Sequence, residues 1–67
     1  MNQAPERLKQ LRQEHNLTQD WIASRINKTR ATYCRYENGT LKPDIDTLTI
    51  IADIYKTSLD YLVGRYN

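Results

Sequence analysis

The sequence has little of what usually staples a small fold. There is one cysteine, Cys34, and one histidine, His15, in 67 residues. A lone thiol excludes an intrachain disulfide, and one Cys with one His falls short of the four ligands a structural zinc takes. No metal and no cofactor are expected. Two glycines and two prolines leave few breaks, which favours helices over turn-rich β architecture. No apolar run exceeds three residues, so neither a membrane span nor a signal-peptide core is expected. That and the single thiol point to a reducing, cytoplasmic setting. Catalytic constellations are missing as well. There is no Ser/His/Asp or Cys/His set, no paired active carboxylates and no glycine loop to cradle phosphate. The chain also lacks room for a substrate-sized pocket, so neither an enzyme nor a small-molecule substrate is expected.

What remains is one small domain over residues 1–67. A chain this short buries only about 60% of its unfolded surface, so it must rely on regular helix packing or on self-association. Charged residues make up 27% and apolar residues 39%, the balance of a folded chain rather than a disordered tail or a membrane protein. Charge is unevenly spread. Residues 1–42 carry eight Lys/Arg against four acids, and residues 43–67 carry two against four. That asymmetry fits a polyanion partner for the first part; ordinary surface scatter fits it equally.

Five helices and no sheet are predicted. The first spans about residues 5–15, with Pro5 suited to the first helical position and Leu8, Leu11 and His15 on one stripe. His15 at its end favours the helix dipole, and Asn16 is the stop. Thr18 caps the second helix, although Trp21 stands where a capping box wants Glu or Gln. Ile22, Ala23 and Ile26 face inward, and Asn27 ends the helix through its tolerance of the left-handed conformation. Thr29 caps a third helix that runs to Glu37 or Asn38. Tyr33 and Tyr36 point inward, and Arg30, Ala31, Cys34 and Arg35 point outward. Asn38-Gly39 is a stop and turn. Asp44 caps a fourth helix with Ile45, Leu48, Ile51, Ala52 and Tyr55 at helical spacing. Ser58 caps a short fifth helix, residues 59–63, ending at Gly64. Tyr55 and Tyr61 are expected in or near the core, and Tyr66 in the tail carries no signal.

Two short helices joined by three residues, the second with a basic outer face, physically describe a helix-turn-helix. In that motif the second helix enters the DNA major groove while the first crosses the backbone. The particular residues sharpen the pattern. Leu17-Thr18-Gln19, Ile22-Ala23, Ile26, Thr29-Arg30, Thr32, Tyr33, Arg35, Glu37-Asn38-Gly39 and Lys42-Pro43 closely resemble the Cro/C1/Xre-type helix-turn-helix family. The closing stretch, residues 58–64, is similar to that family's last helix. The resemblance covers about residues 6–64, with the motif core at 18–38. It implies an all-α, compact five-helix lambda-repressor-like domain whose helices 2 and 3 form the motif.

In that family the first exposed positions of the recognition helix read bases, here Arg30, Ala31, Cys34 and Arg35. Arginine can give two hydrogen bonds to guanine O6 and N7, and alanine can touch a thymine methyl. Either arginine could equally be a phosphate clamp or a solvated charge. Gln19, in the first turn of the second helix, suits a phosphate contact, as do Thr32 and, secondarily to its capping, Thr29. The resemblance implies that the loop after the recognition helix grips the backbone, through Asn38, Thr40 and Lys42. Lys28 departs from the usual apolar turn residue, and either adds a phosphate contact or snorkels. Arg12 and Glu37 match family positions that pair as a partly buried salt bridge. Ala23 is small where the two helices cross. Trp21 replaces a polar residue; packing over the first helix or stacking on Arg25 is favoured over a partner surface. Cys34 is read as a small residue in place of serine, against a redox switch.

The expected function is a sequence-specific DNA-binding transcriptional regulator. Such a short reader makes few base contacts, so a homodimer on a palindromic operator is expected, as a repressor on double-stranded DNA. The resemblance places the dimer contact at Leu59, Tyr61, Leu62, Val63 and the tail, and ordinary core packing fits these apolar residues equally. The alternative is an antitoxin-like module that neutralises a partner toxin and autoregulates, with Trp21 and the acidic C-terminal part as its contacts.

Overall fold

The computed structural model describes residues 3–64. They form α1 (Ala4–Glu14), α2 (Gln19–Arg25), α3 (Arg30–Asn38), α4 (Ile45–Tyr55) and α5 (Leu59–Val63), with no strand among the described residues. The all-α, five-helix architecture is therefore the one the sequence implies.

Local chemistry sets most boundaries. Four helices start on a side chain that accepts from a first-turn amide. Thr18 takes Trp21 N at 3.1 Å, Thr29 takes Thr32 N at 3.2 Å, Asp44 takes Thr47 N at 3.2 Å and Ser58 takes Tyr61 N at 3.0 Å. Each such cap contributes about 1 kcal/mol by satisfying an orphan donor. The first helix differs from expectation. It starts one residue earlier, at Ala4, and Gln3 ahead of it makes no side-chain cap. Pro5 stands second in the helix rather than first, and its missing N–H removes one orphan donor.

Helix ends are turned by left-handed residues: Asn16 (φ 56°) after α1, Asn27 (φ 60°) after α2, Gly39 (φ 83°) after α3 and Gly64 (φ 79°) after α5. Lys56, at φ 54°, ends α4 without the help of a glycine or asparagine. The amides after it carry the turn, with Lys56 N on Asp53 O at 3.2 Å and Thr57 N on Ala52 O at 2.9 Å.

The core gathers one stripe from every helix. Leu8, Ile22, Tyr33, Ile51 and Leu62 are its largest fully buried side chains, each worth about 1.5–3 kcal/mol of burial. Ala23, 2% exposed, gives the close approach of α2 to α3. Helix α1 packs on α3 and α5, and α4 packs on α5. The α1/α5 seam is tied by Gln3 N donating to Val63 O at 3.1 Å.

Two expectations fail in detail. Ile45 fits the apolar spacing of α4, yet it is 63% exposed, and Thr47 is buried instead. Ile45 shares a face with Leu48 and Ala52, but it is the first residue of α4, and the stripe is covered only from residue 47 onward. His15 does more than complement a dipole. Its Nδ1 lies 2.8 Å from Leu11 O, and its ring packs against Tyr55 at 4.9 Å.

Candidate nucleic-acid interface

The joint between α2 and α3 is built from backbone. Asn27 N reaches Ser24 O at 3.2 Å and Lys28 N reaches Ala23 O at 2.9 Å. Left-handed Asn27 then redirects the chain, and extended Thr29 opens α3. These bonds close the end of α2 and shape the turn, α3 packs back on α2, and the outer face of α3 forms a ledge.

At 100° per residue, Tyr33 and Tyr36 share the inner face of α3. Both are buried, and their rings meet edge to face at 6.2 Å. Arg30, Ala31, Arg35 and Asn38 are exposed on the outside, and Cys34 is half-buried at the edge. Sequence reasoning let the third helix end at Glu37 or Asn38 and grouped Asn38 with the loop contacts. The structure makes it the last residue of α3, two turns beyond Ala31 on the same face. Its Oδ1 accepts from Thr40 N at 3.0 Å and from Thr40 Oγ1 at 2.7 Å, so the two residues fold into one local turn.

The remaining expected phosphate contacts lie around this ledge. Thr29 and Thr32 are joined by Thr29 Oγ1 donating to Thr32 Oγ1 at 3.0 Å. Lys42 is exposed beyond the loop, and Lys28 is exposed in the turn. Asp44 is held below its ordinary pKa, first by the Thr47 hydroxyl and amide and to a smaller extent by the charge of Lys28. Cys34 borders a shallow cleft of about 260 Å³ between α1 and α3, shared with Lys9, Arg12, Gln19, Glu37 and Asn38.

Behind the ledge is a polar brace. Arg12 grips Glu37 with both arms, Nε to Oε2 at 2.6 Å and Nη2 to Oε1 at 3.2 Å, and its Nη1 donates to Leu17 O at 3.0 Å. The side chains are 15% and 5% exposed. Burial pushes the Glu37 carboxyl up, but hydrogen bonding from Arg12 and Gln19 and the charge of Arg12 outweigh it, and the group sits below the usual range. The same ion pair raises Arg12 above its ordinary value against the opposing effect of burial. Burial, with Glu37 nearby, drives the Tyr33 hydroxyl strongly upward and pushes Tyr55 up to about 12. Both hydroxyls are buried, and neither meets a partner in good hydrogen-bond geometry. Gln19 is the member of this brace that sequence reasoning missed. Its Nε2 donates to Glu37 Oε1 at 3.2 Å, and its Oε1 lies 3.5 Å from Arg30 Nε. No spacing rule links positions 19 and 37; only the fold brings them together.

Two groups of expected contacts lie elsewhere. Trp21, 36% exposed, is covered by the Arg25 guanidinium at 4.5 Å from the ring centroid. Of the residues expected at a dimer contact, Leu62 is fully buried inside the protomer. It leaves that set, because the helical stripe that closes the core claims it first. Leu59, Tyr61 and Val63 are half-buried against the same core, and Arg7 covers the Tyr61 ring at 4.2 Å. The tail, with Tyr66, lies outside the described residues. Exposed apolar side chains that sequence reasoning did not single out are Leu41 and Ile50, besides Ile45. No group of three or more His, Cys, Asp or Glu that could hold a metal ion occurs among the described residues, and no helix is long and apolar enough to cross a membrane.

Comparison with known proteins gives a consistent picture. A family model described as helix-turn-helix matches residues 8–62. The uncharacterized HTH-type transcriptional regulator YobD of Bacillus subtilis (strain 168) is 41% identical over 59 residues, which is 88% of this chain and 53% of that protein. The cryptic phage CTXphi transcriptional repressor RstR of Vibrio cholerae serotype O1 is 38% identical over 61 residues, 91% of this chain and 54% of that protein. The crystal structure of a transcriptional regulator from Listeria innocua superimposes with a TM-score of 0.95 at 36% identity, covering 100% of this chain and 63% of that one. The chain thus spans about half the length of the curated relatives it matches.

Proposed function

The chain belongs to the Cro/C1-type helix-turn-helix family, and from that premise we propose that it is a sequence-specific DNA-binding transcriptional regulator, acting as a repressor. The observation that carries this reading is the outer face of α3. Arg30, Ala31 and Arg35 stand exposed together on a short helix that packs back on α2 beyond a turn shaped by backbone hydrogen bonds. Arginine and alanine are suited to guanine and thymine edges in the major groove. Gln19, Lys28, Thr29, Thr32, Asn38, Thr40 and Lys42 flank that face and suit phosphate contacts, which set register but carry no sequence information.

The four reading positions, Arg30, Ala31, Cys34 and Arg35, specify few base pairs, so the protein binds as a homodimer on a palindrome with half-sites about 34–36 Å apart. The half-exposed Leu59, Tyr61 and Val63 support a contact at the α5 end. Repression is the reading supported by the likeness to RstR. The test is selection from random duplex DNA at about 150 mM salt, where phosphate-only binding is suppressed. Enrichment of palindromes with guanine-containing half-sites one helical turn apart is expected. Salt-sensitive binding to any duplex without enrichment would overturn the reading in favour of a protein-binding module.

A further inference from the structure

We propose that Asn38 is a self-modifying site: its side-chain amide hydrolyses through the Gly39 nitrogen, and the resulting carboxylate switches off the α3 face for DNA. The consequence for DNA rests on the function proposed above; the modification itself does not. The starting point is the Asn38-Gly39 pair where α3 ends. A backbone nitrogen reaches the side-chain carbonyl of the preceding asparagine only where its own residue leaves room, and glycine has no Cβ in the way. The other asparagines among the described residues, Asn16 and Asn27, precede Leu17 and Lys28.

Three features prime the site. Asn38 is exposed at a helix end, where local opening costs little. Its Oδ1 accepts from Thr40 N at 3.0 Å and from Thr40 Oγ1 at 2.7 Å. These bonds close a ring that contains the Gly39 nitrogen and keep the side chain folded over that peptide. They also set two donors on the oxygen that turns negative during attack. The Gly39 N–H, for its part, is loosely held. It donates to Arg35 O, which also takes Thr40 N at 3.1 Å and Leu41 N at 3.3 Å. A carbonyl has two lone pairs for these three donors, so Gly39 can withdraw and leave Arg35 O satisfied.

The step needs only water. The Gly39 nitrogen gives its proton to solvent and bonds to Asn38 Cγ. The Cγ–Nδ2 bond breaks, and Nδ2 takes a proton back and leaves as ammonia. Water then opens the cyclic imide at either carbonyl, giving aspartate or its β-linked isomer. Either product loses the Nδ2 donor suited to a phosphate. Either also sets a negative charge against the DNA backbone and at a helix C-terminus, where it is disfavoured. The pair thus gives the protein an irreversible, self-timed lifetime as a DNA binder.

The experiment incubates the folded protein in mildly alkaline buffer and follows each asparagine by peptide mass spectrometry. Affinity for the selected operator is measured on samples of known conversion. Conversion at Asn38 is expected to outrun that at Asn16 and Asn27 by about tenfold, since only Gly39 leaves its nitrogen unobstructed. Thr40→Val deletes the hydroxyl donor but keeps the amide, and should slow conversion several-fold. Asn38→Gln would have to close a larger ring and should stay unconverted. Converted protein, and Asn38→Asp shown by melting to be folded, should bind every duplex about tenfold more weakly, with the salt slope reduced by about one. Conversion at Asn38 no faster than at Asn16 and Asn27, or not slowed in Thr40→Val, would overturn the inference. So would converted protein that binds the operator as tightly as the parent. A parent that selects no operator while Asn38 still converts would instead overturn the DNA-reading function, and with it only the consequence drawn for DNA.

Discussion

Removing Arg12 strands a carboxylate. In Arg12→Ala the two bonds to Glu37 and the bond to Leu17 O vanish together. Glu37, whose side chain is only 5% exposed, is left charged with Gln19 Nε2 as its remaining side-chain donor. Deleting one partner of a buried pair costs about 3–5 kcal/mol. The low end, about 3 kcal/mol, is appropriate because 15% of the Arg12 side chain still touches water. A chain of this length holds roughly 3–10 kcal/mol in all, and each kcal/mol shifts Tm by about 4–8 °C in so small a domain. The expected fall is therefore about 12–24 °C, read by thermal melting followed by circular dichroism. Lys9 lies on the same helix but is exposed, so Lys9→Ala should stay within about 0.5 kcal/mol of the parent. Replacing both partners, Arg12→Met with Glu37→Leu, leaves no charge behind and should recover most of the loss. Equal melting shifts for Arg12→Ala and Lys9→Ala would refute the reasoning.

Acid should attack the same brace. The Glu37 pKa is lower in the folded chain than in the unfolded one, so its stabilisation is complete above the unfolded value of about 4.3 and fades as pH falls through the folded value; urea melts of Glu37→Gln should show a shallower acid loss than the parent. Gly64→Ala should destabilise more than Gly39→Ala in thermal melts. Both sit at positive φ, but a Cβ at Gly64 would lie 2.8–2.9 Å from Gln3 side-chain atoms, whereas at Gly39 the nearest atom is Pro5 Cγ at 3.6 Å. Thr29→Ala should cost about 1 kcal/mol in urea melts through the lost cap, and Thr29→Asp, which keeps an acceptor, should not. Cys34→Ser should bind the selected operator like the parent, and diamide treatment of the parent should leave its affinity unchanged.

Local chemistry was legible in the sequence wherever one residue decides the outcome. Thr18, Thr29, Asp44 and Ser58 cap where their types say they must, and Asn27 and Gly39 turn the chain. Ile45 misled because a periodic pattern does not say where the buried stripe begins, and Thr47 takes the inward place. Leu62 misled for the opposite reason, since an apolar residue in a short helix suits a core and an interface alike. The Arg12–Glu37 pairing came from resemblance, because 25 positions separate the two residues. Gln19 escaped notice in its bridging role because its partners, Glu37 and Arg30, become neighbours only once α1, α2 and α3 have packed.

The bond from Gln3 to Val63 at the α1/α5 seam closes a loop of about 60 residues. Loop-closure entropy grows with the logarithm of length, so this seam is the last contact that folding repays. The α2–α3 joint needs only nearby residues and is free to form before it. The α2–α3 joint and the α1/α5 seam therefore differ most in the loop-closure cost they carry. Interactions formed late weigh mainly on how fast the native state is lost. Weakening the α1/α5 seam should therefore raise the unfolding rate more than it lowers the folding rate, with the outer face of α3 left unchanged.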